Sequence, residues 1–181
     1  MRPSAFDQDE AFALLRELVS IRSYPGEERA AQEAVAQWLL ANGLAPEFQL
    51  TVNQQPNVLA QIDNGPGPAL LLSGHIDTVL AVEGWECDPW EGRREGDRFY
   101  GLSAGDMKSG VVVNMLVARE LLRRRTEWQG TLIFSSVTDG SSPPLTMAAV
   151  PRARWTGATA MPWPNETVMV LTSRHWLGKS G

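Results

Sequence analysis

Five successive residues, Ala69-Leu-Leu-Leu-Ser73, carry no charge. A run so short and so apolar predicts a strand buried on both faces, inside a sheet covered by helices. It is set off by Asn64-Gly-Pro-Gly-Pro68, a tight-turn sequence, and it runs on into Gly74-His-Ile-Asp77. The remaining pattern has to supply such a sheet with helices. Phe12, Leu14, Leu15, Leu18 and Val19 fall at helical spacing over residues 8–20. After the Pro25-Gly26 break, a second helix runs from Gly26 to Asn42-Gly43, with Ala30, Val35, Trp38, Leu39 and Leu40 on its apolar face and a left-handed cap at its end. Strands are predicted at 48–52, 57–62 and 131–137, a long loop at 79–97 and a third helix at 109–124. Helices, strands, then helix and strand again predict an α/β domain, a three-layer sheet with helices on both faces.

Composition excludes several functions. The 181 residues are 43% apolar and 20% charged, as in a globular protein. A net charge of -5 is the wrong sign for nucleic acid, and the basic run Arg123-Arg124-Arg125 sits where a helix end favours cations. No stretch reaches the roughly 18–20 apolar residues of a membrane span. Cys87 is the only cysteine, which excludes an internal disulfide and suggests a cytoplasmic protein.

Two motifs carry chemistry. The apolar strand delivers His75 and Asp77, two residues apart, to one face at its carboxyl end, where open α/β sheets build their sites. A neutral imidazole is a common metal ligand, and a neighbouring carboxylate can fix its tautomer. A core histidine satisfied by a local aspartate would look the same. Further on, Tyr100-Gly-Leu-Ser-Ala-Gly-Asp-Met-Lys-Ser-Gly110 is a small-residue loop centred on Asp106. Asp106 can offer oxygen to a divalent cation, or cap the helix that follows.

Taken together, Ser73-Gly-His-Ile-Asp-Thr-Val79, Asp88-Pro-Trp90 and the 100–110 loop resemble the zinc-dependent metallopeptidase family of aminoacylase, acetylornithine deacetylase, succinyl-diaminopimelate desuccinylase and carboxypeptidase G. The resemblance runs from about residue 7 to 138. It implies a zinc-exopeptidase-like catalytic domain that hydrolyses an amide bond in N-acyl amino acids or small peptides. It implies His75 as ligand to one metal, Asp77 as its catalytic partner behind the ring, and Asp106 as the bridge between two metals. Zinc is the expected cofactor, with cobalt or manganese also suited to mixed His/carboxylate ligation.

The resemblance breaks after Asp139. Gly140 and Ser141 stand where the family has two glutamates, one the general base and one a ligand. From Gly140 to Gly181 the only acid is Glu166, amid five prolines and three tryptophans. A later acidic ligand finds only Ala160-Met-Pro-Trp-Pro164 in its place. Asp139 and His175 are the conceivable recruited ligands. The expectation is therefore an incomplete catalytic domain at 1–138 and a divergent or frame-shifted tail at 139–181, truncated and inactive in isolation. A non-catalytic module binding partners through tryptophans such as Trp85 and Trp90, and a minimal one-metal hydrolase, are the alternatives. The sequence is silent on oligomeric state.

Overall fold

A computed structural model describes residues 7–138 and the backbone of Met169–Leu171. Helix α1 (Gln8–Ser20) starts at Asp7, whose side chain accepts the Asp9 N–H, and Asp9 and Glu10 suit the positive end of its dipole. Its Leu14, Leu15, Leu18 and Val19 are buried, as their spacing predicts.

Helix α2 (Arg29–Ala41) begins later than its periodicity suggests. The delay has a local cause: the Glu27 N–H donates to the Tyr24 carbonyl at 2.7 Å, and both Glu28 carboxylate oxygens accept from the Gly26 N–H. The chain must complete that turn before it can coil. The helix ends as expected. Gly43, at φ +84°, donates to the Leu40 carbonyl and Leu44 donates to that of Leu39, a Schellman closure with Leu39 and Leu44 both buried.

Strands β1 (Pro46–Leu50), β2 (Pro56–Asn64) and β3 (Ala69–His75) follow. Next come the short β4 (Arg93–Glu95) and β5 (Arg98–Tyr100), helix α3 (Ser109–Arg123), β6 (Gly130–Val137) and β7 (Met169–Leu171). The main sheet has the order β1-β2-β6-β3-β7. β2 pairs antiparallel with β1 and β6, while β3 runs parallel to β6 and β7. The apolar run from Ala69 thus occupies an interior strand, with Leu71 and Leu72 buried on opposite faces.

Val58, Ala60, Ile62, Leu72, Leu132 and Phe134 point to one face and share a core with all three helices. Leu59, Leu71 and Ile133 form a separate small cluster on the other face. The α/β architecture is as read from the sequence, with helices on one face among the described residues. Any helix covering the second face would lie outside them.

The β4–β5 hairpin falls where the sequence predicts only loop. Its strands read Arg-Arg-Glu and Arg-Phe-Tyr, with no apolar alternation to reveal them. Side-chain contacts with α1 hold it instead. Phe99 stacks on Phe12 at 5.9 Å between centroids, and Arg94 lies over the Phe12 ring while pairing with Asp9 at 2.7 Å.

Candidate metal centre

His75 is the last residue of β3, paired in register with Val137 of β6. The ladder continues one step further, with the Ile76 N–H donating to the Val137 carbonyl at 2.9 Å. Ile76 is wholly buried, so the chain is pinned as it leaves the sheet. Asp77 returns to the His75 side, its Oδ1 3.0 Å from His75 Nδ1.

Asp106 arrives from the far side of the site. Ser103 takes a left-handed backbone (φ 58°), and Ala104–Lys108 follows as a kinked turn, non-helical at Asp106 and Met107, closed by the Lys108 N–H on the Ser103 carbonyl at 2.9 Å. The Asp106 carboxylate makes no cap on α3. It extends instead to His75, its Oδ1 3.1 Å from Nε2, and is 86% exposed. Of the two roles the sequence left open for Asp106, helix cap and site carboxylate, it does not take the cap.

Nothing stands within 4 Å of where a Gly105 side chain would begin. The close approaches are at Gly74, against Met107 and Val111, and at Gly101, against Val19. Gly74 lets the Asp106 loop and α3 sit close on the sheet, and Gly101 lets the start of the loop sit close on α1.

The imidazole thus stands between two carboxylates, with side-chain exposures of 20% for His75 and 19% for Asp77. Burial by itself would pull its pKa down. Asp77, and after it Asp106, outweigh that loss, and the net result lies above the ordinary 6.5. Asp139 and His175 fall outside the described residues, as do Gly140 and Ser141.

The donor set fits a divalent metal in part. Two ligands about 2.1 Å from one tetrahedral ion stand roughly 3.4 Å apart, within a few tenths of an ångström of the His75–Asp106 separation. Imidazole plus carboxylate is ordinary zinc chemistry. No group of three or more His, Cys, Asp or Glu side chains able to hold a metal occurs among the described residues. Further ligands would have to come from elsewhere.

Sequence reasoning left out the residues beneath the site. Lys108 is completely buried, and its ammonium donates to the carbonyls of Leu18 and Ile21, both at 2.8 Å. Burial pushes its pKa down to about 8. Trp90, an anchor only in the alternative reading as a binding module, is half-buried, with Lys108 Nζ 5.9 Å and the Arg22 guanidinium 5.5 Å from its ring. Tyr24 meets it edge-on at 5.5 Å. The Asp88-Pro-Trp90 segment is the turn that sets this ring, Asp88 Oδ1 accepting the Trp90 N–H at 2.9 Å. No local pattern in the sequence marks Lys108 as buried, since a lysine ordinarily faces solvent.

Residues 71–140 match the model of peptidase family M20/M25/M40. Over those residues the chain resembles part of a peptidase family M20 domain. It is 33% identical over 141 residues to a succinyl-diaminopimelate desuccinylase of Methylobacterium radiotolerans, covering 75% of this chain and 36% of that relative. The M20-type fold is also seen in an aminopeptidase PepT of Bacillus cereus, with a TM-score of 0.64 at 18% identity, covering 83% of this chain and 42% of that one. A dinuclear metal-binding M20 peptidase of Bacillus subtilis has a TM-score of 0.51 at 17% identity, covering 71% of this chain and 34% of the other. The chain thus spans little more than a third of the length of the curated relative it matches. Among the described residues, no helix is long and apolar enough to cross a membrane.

Proposed function

We propose that this chain supplies the His75, Asp77 and Asp106 portion of a metal-dependent amide-hydrolase centre and does not complete the reaction alone. The observation that supports this reading is the imidazole held between two carboxylates, at 3.0 and 3.1 Å, at the carboxyl end of β3. A bound divalent cation, zinc in the first instance, supplies Lewis acidity towards the amide carbonyl and a water acidic enough to react near neutral pH. His75 Nε2 and the Asp106 carboxylate would hold it. Asp77, at Nδ1, orients the ring and keeps Nε2 free to ligate. The exposure of Asp106 leaves the open side of the centre to substrate.

The chain's deficit is also chemical. A general base must accept a proton within hydrogen-bond reach of the attacking water. Gly140 and Ser141, which follow β6 where the resemblance calls for glutamates, offer no carboxylate. Residues 1–138 are then the M20-type portion and 139–181 a segment of different character, in a cytoplasmic protein. The substrate class is N-acyl amino acids or small peptides, in keeping with the desuccinylase relative.

The test is hydrolysis of N-succinyl and N-acetyl amino acids by the 181-residue chain, with zinc, cobalt or manganese added. The rate should not exceed that of the metal alone. Turnover that disappears in Asp106→Ala would overturn the proposal and favour a one-metal hydrolase.

A further inference from the structure

We infer that Ser23 and Lys108 are positioning residues, using the end of α1 and the loop after it as a brace between the two halves of the metal centre. The inference rests on the reading of His75, Asp77 and Asp106 given above and extends it to residues that touch none of the three.

The two halves come from separate stretches of chain, residues 75–77 and the turn at 104–108. No strand pairing joins them. Both are fastened to the same third segment. On one side, the Ser23 hydroxyl donates to the Ile76 carbonyl at 2.7 Å, and the Thr78 N–H donates to the Ser23 carbonyl at 2.9 Å. These two bonds bracket Asp77 on both sides. On the other side, Lys108, two residues after Asp106, places its ammonium on the carbonyls of Leu18 and Ile21. Those carbonyls lie at the α1 C-terminus, where helix geometry leaves acceptors unpaired and the dipole favours a cation.

The brace is rigid for physical reasons. Ser23 and Lys108 are both fully buried, so neither bond can be exchanged for water without opening the fold. Two carbonyls and the Trp90 face receive the ammonium. Trp90 also meets Tyr24 and Arg22, so the loop at 21–24 is held from below as well. A ligand pair is only as well placed as the shell supporting it, and loss of such support typically weakens metal binding ten- to a hundredfold.

Two measurements on the 181-residue chain test this. The first is amide hydrogen exchange of metal-free Lys108→Met, read at Thr78 and at Phe134 in the sheet core. The brace predicts that Thr78 exchanges at least about tenfold faster while Phe134 changes far less, although no hydrogen bond joins Lys108 to Thr78. Equal acceleration at both, or none at Thr78, overturns it. Should Lys108→Met fail to fold, Ser23→Ala is read the same way at Thr78. The second measurement is zinc titration of Ser23→Ala against Asn64→Ala. Asn64 is a control at the end of β2 away from the site, donating to the Arg125 and Trp128 carbonyls. Zinc affinity should fall about tenfold or more in Ser23→Ala and hold in Asn64→Ala; equal loss in both overturns the brace. If the unaltered chain takes up no zinc, the metal reading fails, while the exchange measurement still decides the brace.

Discussion

A methyl group added at Gly74 probes how tightly the Asp106 loop and α3 are seated on β3. The Cβ of Gly74→Ala would stand 2.9 Å from Met107 Cε, 3.1 Å from Val111 Cγ2 and 3.6 Å from Asn114 Nδ2. The first contact is cheap to relieve, because the methionine tip has three torsions with which to move away. The second is not. Val111 is β-branched, buried, and fixed on α3, so helix and strand must part by about half an ångström to restore ordinary contact. Overpacking of this kind costs about 1–2 kcal/mol. Val111→Ala, which removes the opposing methyl, costs about as much on its own through lost burial. In the double variant the added methyl enters space just vacated, so the two costs should fall short of their sum by about 1 kcal/mol. Urea denaturation of the wild type, both single variants and the double variant measures this directly. Additivity within about 0.3–0.5 kcal/mol would show that the Gly74–Val111 approach does not limit the packing, and would refute the argument.

Two further outcomes follow from α1 and β2. Glu10 receives Arg119 of α3 through both carboxylate oxygens, and the Arg119 hydrogen bonds hold its pKa below the ordinary 4.5. Partial exposure screens the pair, so Glu10→Gln should cost about 1 kcal/mol at neutral pH. Because the folded pKa is depressed, that contribution is present above about 4.5 and is lost as pH falls through the folded value; a gap between wild type and variant that survives in stronger acid would contradict the assignment. Asn57 Oδ1 accepts from the Thr138 N–H at 3.0 Å and from its hydroxyl at 3.3 Å, both residues being buried. Asn57→Ala strands that N–H and should cost about 1–3 kcal/mol in urea denaturation, whereas Asn57→Asp, which keeps the acceptor, should cost less.

The elements legible in the sequence were those whose side chains repeat. The spacing of Leu14, Leu15, Leu18 and Val19 gave α1 to the residue, and the unbroken run from Ala69 gave an interior strand. The β4–β5 hairpin was hidden because Phe12, Arg94 and Phe99 hold it by contacts across the fold, which leave no local period. The start of α2 was misplaced because Glu28 and Tyr24 build a turn from side-chain and backbone bonds that a hydrophobic pattern does not register. At the site, His75 and Asp77 could be paired from spacing alone, since two residues on an extended segment share a face. The convergence of Asp106 on His75 came from motif resemblance, being a contact across 31 positions. Lys108 and Ser23 were out of reach for the same reason: their partners Leu18, Ile21 and Ile76 are distant in sequence and are backbone carbonyls, which every residue possesses.

The central claim is that His75 and Asp106 are two ligands of one metal. Isothermal titration of the 181-residue chain with zinc, set beside His75→Ala, Asp106→Ala and the remote Glu91→Ala, tests it most directly. Saturable binding should weaken at least tenfold in the first two variants and stay unchanged in the third. Zinc bound equally by all four proteins, or by none, would show that the pair between β3 and the 104–108 turn is a hydrogen-bonded structural contact and not a metal centre.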